Sequence, residues 1–483
     1  MPDRITKRPF LAAIGCPTAG WRLLRAEQES VTPALEWRFW VGAEVHRQAQ
    51  RQLGEGRELI RTPVDRAVAE TAAALNLSDS LLFEATFQSG PFVARADALR
   101  RDGTDWELIE VKSGKVPEQL DKLNAEYVDD LSYTAFVAGA AGLGISRCVL
   151  MLINRDYRLD GAEPLLTEID LSEVVRSRAQ EFADVAPEIA MILLGEVEPP
   201  GALKFVCRSC EFFTTCVGAG IADPLFDIPR LLEKKFETLR PYGRIGALPS
   251  GVGLTPIQER VVRVSQSRSP ELDQQVLGQL SLVAWPAYYL DFEGIGPALP
   301  WFAEAEPYEQ MPFQFSIHRV DGPGSVPVHS AYLALNAGDW RQELCQQLLD
   351  DLGDRGSIVV YSGYEKGVLN YLMRTVPGEK GRLEAVASRL FDLEPVVRNG
   401  YCHPGFHGKS SIKAVLPAMA LGHSYDDLAV RGGDDASAIF ALMRIGKYDG
   451  TADSRHRADL LRYCAMDTMA MVKVHEALVG LMR

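Results

Sequence analysis

Residues 106–112 read Trp-Glu-Leu-Ile-Glu-Val-Lys, a stretch that predicts a β-strand. Successive side chains of a strand point to opposite faces, so Glu110 and Lys112 share one face while Ile109 and Val111 face the core. A carboxylate beside an ammonium group suits phosphodiester hydrolysis, because the first can hold a divalent cation and the second can stabilise charge at phosphorus. On its own, an E-x-K triplet is more often a surface salt bridge.

Two further residues extend this pattern toward a metal site. Asp97 ends the preceding predicted strand, and an Asp-Gly turn between the two strands would place Asp97 beside Glu110. His46, on a predicted helix, can supply another ligand. A one-metal site with Lys112 as the catalytic cation is therefore expected.

Four cysteines enclose these residues in the sequence. Cys207, Cys210 and Cys216 form a C-x2-C-x5-C cluster, and Cys16 lies near the N-terminus. Thiolates so far apart can share one centre only if the fold brings both ends of the segment together. Zinc, an iron–sulfur cluster and plain buried thiols all remain open from spacing alone.

The order of these motifs resembles the PD-(D/E)XK nucleases, in the RecB-like branch that carries an iron–sulfur cluster. This branch includes the CRISPR-associated exonucleases and the AddB-type nuclease domains. The resemblance implies a 4Fe-4S cluster on the four cysteines and a Mg²⁺ or Mn²⁺ site. Its implied metal ligands are His46, Asp97 and Glu110, with Lys112 as the catalytic lysine.

One position departs from that branch. A Gln followed four residues later by a Tyr is usual on the next helix, but residues 127–140 contain no Gln. If Tyr133 is that Tyr, Asp129 stands where the Gln belongs. A cluster-bearing DNA-binding or scaffolding domain without activity is therefore kept as an alternative.

A second group of acids occurs much later in the chain. The apolar run Ala-Tyr-Tyr-Leu-Asp-Phe-Glu ends in Asp291 and Glu293, which share one face of a strand. Tyr463 and Asp467 are four residues apart on a predicted helix and therefore lie on one side of it. Glu365 follows a buried strand and a glycine turn. These acids can converge on two Mg²⁺ or Mn²⁺ ions.

This second pattern resembles the DEDD superfamily of 3′–5′ exonucleases, in the subgroup whose last motif is Y-x3-D. The implied roles are motif one for Asp291 and Glu293, motif two for Glu365, and motif three for Asp467 with Tyr463 holding the attacking water. Asp is usual at motif two, so Asp392, at another strand end, is a second candidate there. The Ser-Ser-Ile-Lys stretch at residues 410–413 looks like an S-x-K segment of related folds, with a role in structure or strand contact.

The whole arrangement resembles a bacterial family of unknown function that fuses these two domain types. The expected fold class is α/β, with an N-terminal restriction-endonuclease-like (PD-(D/E)XK) domain and a C-terminal RNase H-like exonuclease domain. The expected boundaries are 1–222 for the first domain, 223–283 for a proline-punctuated helical connector and 284–483 for the second domain.

Composition limits the function classes. The formal charge of −14 argues against broad, non-specific duplex binding, although metal-holding carboxylates contribute to it. Apolar runs are too short for a signal sequence or a bilayer span, so a cytoplasmic protein without membrane contact is expected. The leading hypothesis is a nuclease acting on single-stranded DNA or 3′ ends in repair or defence. RNA is the alternative polymer, and a helicase is a candidate partner.

Overall fold

The computed structural model describes residues 3–26, 31–335, 338–419, 422 and 424–482. The chain is a mixed α/β protein, as expected, with two large sheets that each have helices packed against them. Within the described residues, no helix combines the length and the apolar character that crossing a membrane requires.

The N-terminal unit is built on a six-stranded sheet in the order β1 to β6. Its strands are β1 (Arg57–Glu58), β2 (Leu81–Ser89), β3 (Phe92–Asp102), β4 (Asp105–Lys115), β5 (Ile145–Ile153) and β6 (Leu166–Asp170). Its helices are α1 (Lys7–Gly15), α2 (Pro17–Arg25), α3 (Pro33–Leu53), α4 (Val64–Leu75), α5 (Ala125–Ala140) and α6 (Ser172–Leu194).

The predicted hairpin is present as β3 and β4. Gly103 adopts a positive φ of 62° in the turn, a conformation that glycine adopts without steric cost. Ala98 pairs with Ile109 in the antiparallel ladder, and the same register continued by one residue brings Asp97 opposite Glu110. Helix α5 then crosses over so that β5 runs parallel to β4. The hairpin therefore places both acids of the expected metal site side by side.

Short elements join the two large units. The interval predicted as a helical connector contains α7 (Glu233–Leu239), α8 (Pro256–Ser267), β7 (Glu271–Leu272) and α9 (Gln274–Leu277). A small apolar cluster of its own, which includes Leu225, Phe236 and Leu239, stabilises this region. Strand β7 pairs with a short strand at Tyr401 and Cys402, so the connector is attached to the C-terminal unit.

The C-terminal unit has a five-stranded sheet in the order β10-β9-β8-β11-β12. Its strands are β8 (Ala287–Ile295), β9 (Met311–Val320), β10 (Val328–Leu333), β11 (Ile358–Val360) and β12 (Leu390–Asp392), and β13 (Tyr401–Cys402) pairs with β7. Its helices are α10 (Arg341–Leu352), α11 (Tyr364–Thr375), α12 (Lys380–Ala387), α13 (Glu394–Gly400), α14 (Ile412–Met419), α15 (Gly433–Arg444) and α16 (Gly450–Gly480). Strand β9 runs antiparallel to its neighbours, whereas β8, β11 and β12 run parallel.

The two units contact each other along α3 and α15. The backbone N–H of Ala34 donates to Asp435 (3.3 Å), and Lys447 pairs with Glu36 (3.1 Å). Trp37 packs against apolar residues of both units. The helix that carries His46 is therefore also part of the interface.

Candidate metal centres

Four carboxylates converge in the C-terminal unit. Strand β8 presents Asp291 and Glu293 on one face, the first turn of α11 carries Glu365, and the middle of α16 carries Asp467. Burial raises the pKa of Asp291 well above its usual value, and the charges of the other three acids raise it further. The four predicted acids thus lie within electrostatic reach of one another.

In the part of the chain that the structure describes, Lys413 is the cation whose charge opposes the raised pKa values of Glu293 and Asp467. Burial raises the pKa of Glu293 to about 8, with Asp467 adding to the shift and Lys413 opposing it. Burial likewise raises the pKa of Glu365 to about 7. Buried carboxylates that lack sufficient counter-charge either take up protons or bind cations. The donor set is therefore suited to hard divalent ions, which prefer carboxylate oxygens.

Cys464 adds a thiol to this group. Ligand atoms of Asp291, Glu293 and Cys464 all lie within 4.8 Å of one another. Burial and the adjacent acids hold the pKa of the thiol well above its usual value, and its Sγ lies 3.3 Å from Oδ2 of Asp291. Cys464 consequently serves as a hydrogen-bond donor that orients Asp291, because a neutral thiol is a poor ligand for a hard cation.

Tyr463 is held beside the acids by a lysine. Lys413 Nζ donates to the Tyr463 hydroxyl (2.6 Å), and Tyr463 also hydrogen-bonds to Asp467. Burial and the neighbouring acids raise the pKa of Tyr463, so the phenol stays neutral. A second phenol, Tyr425, donates to Asp467 Oδ1 (2.5 Å). Lys413 and Tyr425 thus belong to the site, although the sequence pattern assigned no chemistry to either.

Strand β9 fixes the position of α16 relative to β8. Gln314, which pairs with Glu293 in the ladder, donates from Nε2 to the Leu460 carbonyl (2.8 Å). Ser316, which pairs with Asp291, shares a 2.9 Å hydrogen bond with Thr468. These two contacts lie on either side of the Tyr463–Asp467 turn and hold it over the acids of β8.

Glu365 and Asp392 have different surroundings. Glu365 is buried, and its Oε2 accepts from the Ser362 hydroxyl (3.1 Å). Asp392 is only partly buried, and its Oδ1 accepts from the backbone N–H of Glu394 at the start of α13 (3.0 Å). The charge of Glu365 acts on both Asp291 and Glu293, so Glu365 is the better placed of the two candidates.

The N-terminal acids also form a compact group. Glu110 is buried, and its Oε1 accepts from Lys7 (2.8 Å) and Lys112 (2.9 Å). Asp97 Oδ2 accepts from the backbone N–H of Val111 (2.7 Å) and lies 3.8 Å from Nε2 of His46. The structure therefore places His46 beside Asp97 and Lys112 beside Glu110, and the charge of Glu110 acts on Asp97.

The charges and hydrogen bonds of this group are compatible with a bound divalent cation. Burial alone would raise the pKa of Glu110, but Lys7 and Lys112 lower it to about 2. Burial and the charge of Glu110 raise the pKa of Asp97 well above its usual value. Within the described part of the chain, the buried Oε2 of Glu110 has no hydrogen-bond partner. An unsatisfied carboxylate oxygen beside a second carboxylate fits a divalent ion.

Two residues of the N-terminal group were not predicted from the sequence. Lys7 comes from α1, and Asp130 on α5 forms an ion pair with Lys112 and lies 3.6 Å from Lys7. The neighbouring Asp129 instead pairs with Arg178 (2.7 Å), and the Tyr133 hydroxyl donates to the Ile5 carbonyl. Asp130 could have been found from the helical period of α5, whereas no spacing pattern points to Lys7.

All four cysteines of the predicted cluster line one small cavity. Cys16 lies between α1 and α2, and Cys207, Cys210 and Cys216 lie in short turns after α6. Burial raises the pKa of Cys207, and the other three thiols raise it further. Lys204 Nζ donates to the Gly15 carbonyl (2.8 Å), which ties the two ends of the unit together beside the thiols.

Comparison with known families gives one partial match. Residues 288–411 match the model of a domain of unknown function (DUF2779). The matched segment, less than half of the chain, contains Asp291, Glu293 and Glu365 but ends before α14 and α16. Comparison with curated proteins finds no match. Neither finding assigns an activity, so the function has to be argued from the site.

Proposed function

We propose that the chain is a metal-dependent nuclease that hydrolyses phosphodiester bonds of DNA, on single strands or 3′ ends, in repair or defence. One observation carries this proposal: the acids of β8, α11 and α16 are buried, and their charges act on one another beside a neutral phenol. Two Mg²⁺ or Mn²⁺ ions bound there would stabilise the attacking and leaving oxygens of an in-line displacement.

The residues around the acids have separate tasks in this scheme. The Tyr463 oxygen accepts from Lys413 and its proton is donated to Asp467, so the remaining lone pair of the phenol can accept from the attacking water and orient it. Asp291 and Glu293 provide ligand oxygens from a rigid strand, and Glu365 and Asp467 provide them from two helices. The sheet order, with an antiparallel second strand, is that of the RNase H-like fold and supports the 3′–5′ exonuclease assignment.

The N-terminal group is proposed as a second phosphodiesterase site. Asp97 and Glu110 would hold one cation with His46, and Lys112 would stabilise charge on the scissile phosphate. A specific observation favours the alternative of an inactive, DNA-binding N-terminal domain. Lys7 and Lys112 both contact Glu110, so its charge is already compensated without a metal.

The four cysteines are proposed to hold a 4Fe-4S cluster. All four thiols line one small cavity, as ligands of a single centre must. The choice of an iron–sulfur cluster over zinc rests on the resemblance of the motif order, since four thiolates suit zinc as well. Anaerobically purified protein should be brown and contain about four irons per chain. Stoichiometric zinc in a colourless protein would overturn this assignment.

A comparison of four proteins on end-labelled DNA and RNA tests the nuclease proposal. The wild type, Lys112→Ala, Asp291→Ala and the double variant are each assayed with Mg²⁺, with Mn²⁺ and with a chelator. Loss of 3′-end digestion in Asp291→Ala supports the C-terminal site, and RNA as the preferred polymer would select the alternative substrate. Full activity in Lys112→Ala would select the inactive N-terminal domain. Metal-dependent activity in the double variant would refute both sites.

A further inference from the structure

A cavity of about 940 Å³ lies between the connector and the C-terminal unit. Residues 229–235 and the start of α8 form one wall, and α13 together with residues 406–410 forms the other. His407 Nδ1 and Asp227 Oδ2, 2.9 Å apart, join the two walls at the edge. The lining of the cavity thus contains none of the proposed metal ligands and none of the four cysteines of the proposed cluster.

The charge of this cavity is opposite to that of the chain. Four cations line it, Arg230, Lys235, Arg398 and Lys409, against one carboxylate, Glu394. The chain as a whole carries a formal charge of −14. A local concentration of cations in an acidic protein indicates an anionic ligand.

Two of these cations are available to a ligand. Arg398 pairs with Glu394 (3.4 Å), and Lys235 donates to the Val252 carbonyl. Arg230 and Lys409 are exposed, and within the described residues their side chains form no hydrogen bond or ion pair. Exposed, unpaired cations at opposite walls can contact consecutive phosphates.

Two exposed apolar side chains line the cavity beside the cations. Leu232 and Ile257 are 74% and 47% exposed. Apolar surface beside cations suits a ligand that has both flat apolar faces and phosphates. Nucleotides of a single strand have this combination.

The cavity is connected to the proposed exonuclease acids. The Ser410 hydroxyl, on its wall, donates to Glu394 Oε1 (2.6 Å), and the Glu394 backbone N–H donates to Asp392. The charge of Asp392 in turn acts on Glu365. Lys409 also lies four residues before Lys413, so their Cα atoms are at most about 14 Å apart. This continuity favours a strand that passes from the cavity to the acids over an unrelated acidic peptide.

We propose that this cavity binds nucleotides of a single strand whose end lies at the C-terminal acids. Arg230 and Lys409 contact its phosphates, and Leu232 and Ile257 contact its bases. The inference rests on the proposed exonuclease function and adds a strand-holding site that the metal-binding residues do not provide.

Binding of a fluorescein-labelled 20-mer of oligo-dT tests this inference. The full-length protein is used as an Asp291→Asn variant so that the strand is not digested. In this background Arg230→Gln/Lys409→Gln is compared with Arg66→Gln/Lys122→Gln, a pair of exposed cations in the N-terminal unit, away from the cavity. We expect the cavity variant to bind about tenfold more weakly at low salt, and its slope of log Kd against log salt to fall by about 1.4 for two lost phosphate contacts. Equal slopes and affinities in the two variants would overturn the inference.

Digestion rates separate this inference from the proposed function. With Asp291 left unsubstituted, the cavity variant should digest the 20-mer more slowly than the control variant does. Both variants should digest a dinucleotide equally fast, because a dinucleotide is too short to reach the cavity. A wild type that digests no polymer refutes the nuclease proposal instead. Two results would refute the strand assignment. One is that dTMP displaces the 20-mer from the wild type but not from the cavity variant. The other is that a glutamate-rich peptide binds the wild type more tightly than the 20-mer does, and that the cavity variant loses this binding. Equal unfolding temperatures of the variants exclude misfolding.

Discussion

The hydroxyl group of Tyr463 is the part of this residue that the proposed chemistry needs. Tyr463→Phe keeps the buried ring but removes the group that accepts from Lys413 and orients water. We expect kcat for 3′-end digestion to fall about 10- to 100-fold with KM little changed, as for loss of a group that positions the attacking water. Tyr448→Phe, at a tyrosine that packs on His456 away from the acids, is the control. Equal activity of the two variants would remove Tyr463 from the mechanism.

The raised pKa values of Glu293 and Glu365 predict a pH effect on the metal-free protein. Their folded-state pKa values are about 8 and about 7, against 4.5 for an ordinary Glu. The folded state therefore binds more protons than the unfolded state between these pH values. The contribution of the two carboxyl groups to the free energy of unfolding is fully present below pH 4.5 and is lost as the pH rises through 7 and 8.

Thermal unfolding in a chelator checks this effect. The unfolding temperature should fall between about pH 5 and about pH 8.5, and Mn²⁺ should restore more of it at the higher pH, because ionised carboxylates bind the cation. In the Glu293→Gln/Glu365→Gln variant, the fall of the unfolding temperature with pH and its restoration by Mn²⁺ should both be much smaller. The same pH slope in wild type and variant would contradict the electrostatic argument.

Gly201 allows Cys216 to approach the other thiols. A Cβ atom at Gly201 would lie only 2.7 Å from the Cys216 sulfur. Gly201→Ala should therefore displace this thiol and lower the iron content and visible absorbance of anaerobically purified protein. Gly378→Ala, at a glycine with open space around its Cβ position, should keep both. Undiminished iron in Gly201→Ala would argue against Cys216 as a ligand.

The acids of both sites could be predicted from local spacing, but their partners could not. Residues two apart on a strand or four apart on a helix share a face, which identified Asp291 with Glu293 and Tyr463 with Asp467. Lys7 and Tyr425 reach the sites from segments with no such spacing. Their positions depend on tertiary packing, for which a single sequence has no periodic signal.

At the scale of elements, a loop of the C-terminal unit supports the strand that carries Glu110 and Lys112. The Tyr308 hydroxyl donates to the Ser113 carbonyl, and Lys115 Nζ donates to the Pro307 carbonyl (3.2 Å). The end of β4 is thus held by residues that lie about two hundred positions later in the sequence.

Tyr308→Phe tests this support. Loss of the hydrogen bond should cost about 1 kcal/mol locally and raise amide hydrogen exchange at the end of β4 about fivefold. Tyr242→Phe, a substitution on the exposed surface, should leave exchange there unchanged. Unchanged exchange in Tyr308→Phe would mean that β4 holds its own position. In that case Tyr308 has only a packing role.

The main elements were predictable where the sequence has a period or a turn signal. The alternation and the Asp-Gly turn predicted the hairpin of β3 and β4, and the apolar spacing of residues 460–467 predicted the middle of α16. The pairing of β7 with β13 could not be predicted, because strands of two residues are too short to show a period. The interface of α3 with α15 was equally hidden, since it joins helices about four hundred residues apart.

Helix α1 connects the two candidate sites of the N-terminal unit. Its first residue, Lys7, contacts Glu110, and Cys16 follows its last residue. Nine helical residues span about 13 Å, so the proposed cluster and the N-terminal metal site are connected by one short, rigid element. Loss of the cluster should therefore disturb the Lys7–Glu110 contact more than it disturbs the C-terminal unit.

Cys16→Ser should show this coupling. Without its cluster ligand, α1 and α2 should lose protection from hydrogen exchange, and Lys7 should be released from Glu110, while 3′-end digestion through Asp291 stays within about twofold because that site is built on a different sheet. Cys345→Ser, at a cysteine of α10 outside both the cluster and the cavity, is the matched control. Equal protection of α1 in both variants would show that the helices are held by the Lys204–Gly15 contact and apolar packing without the metal centre.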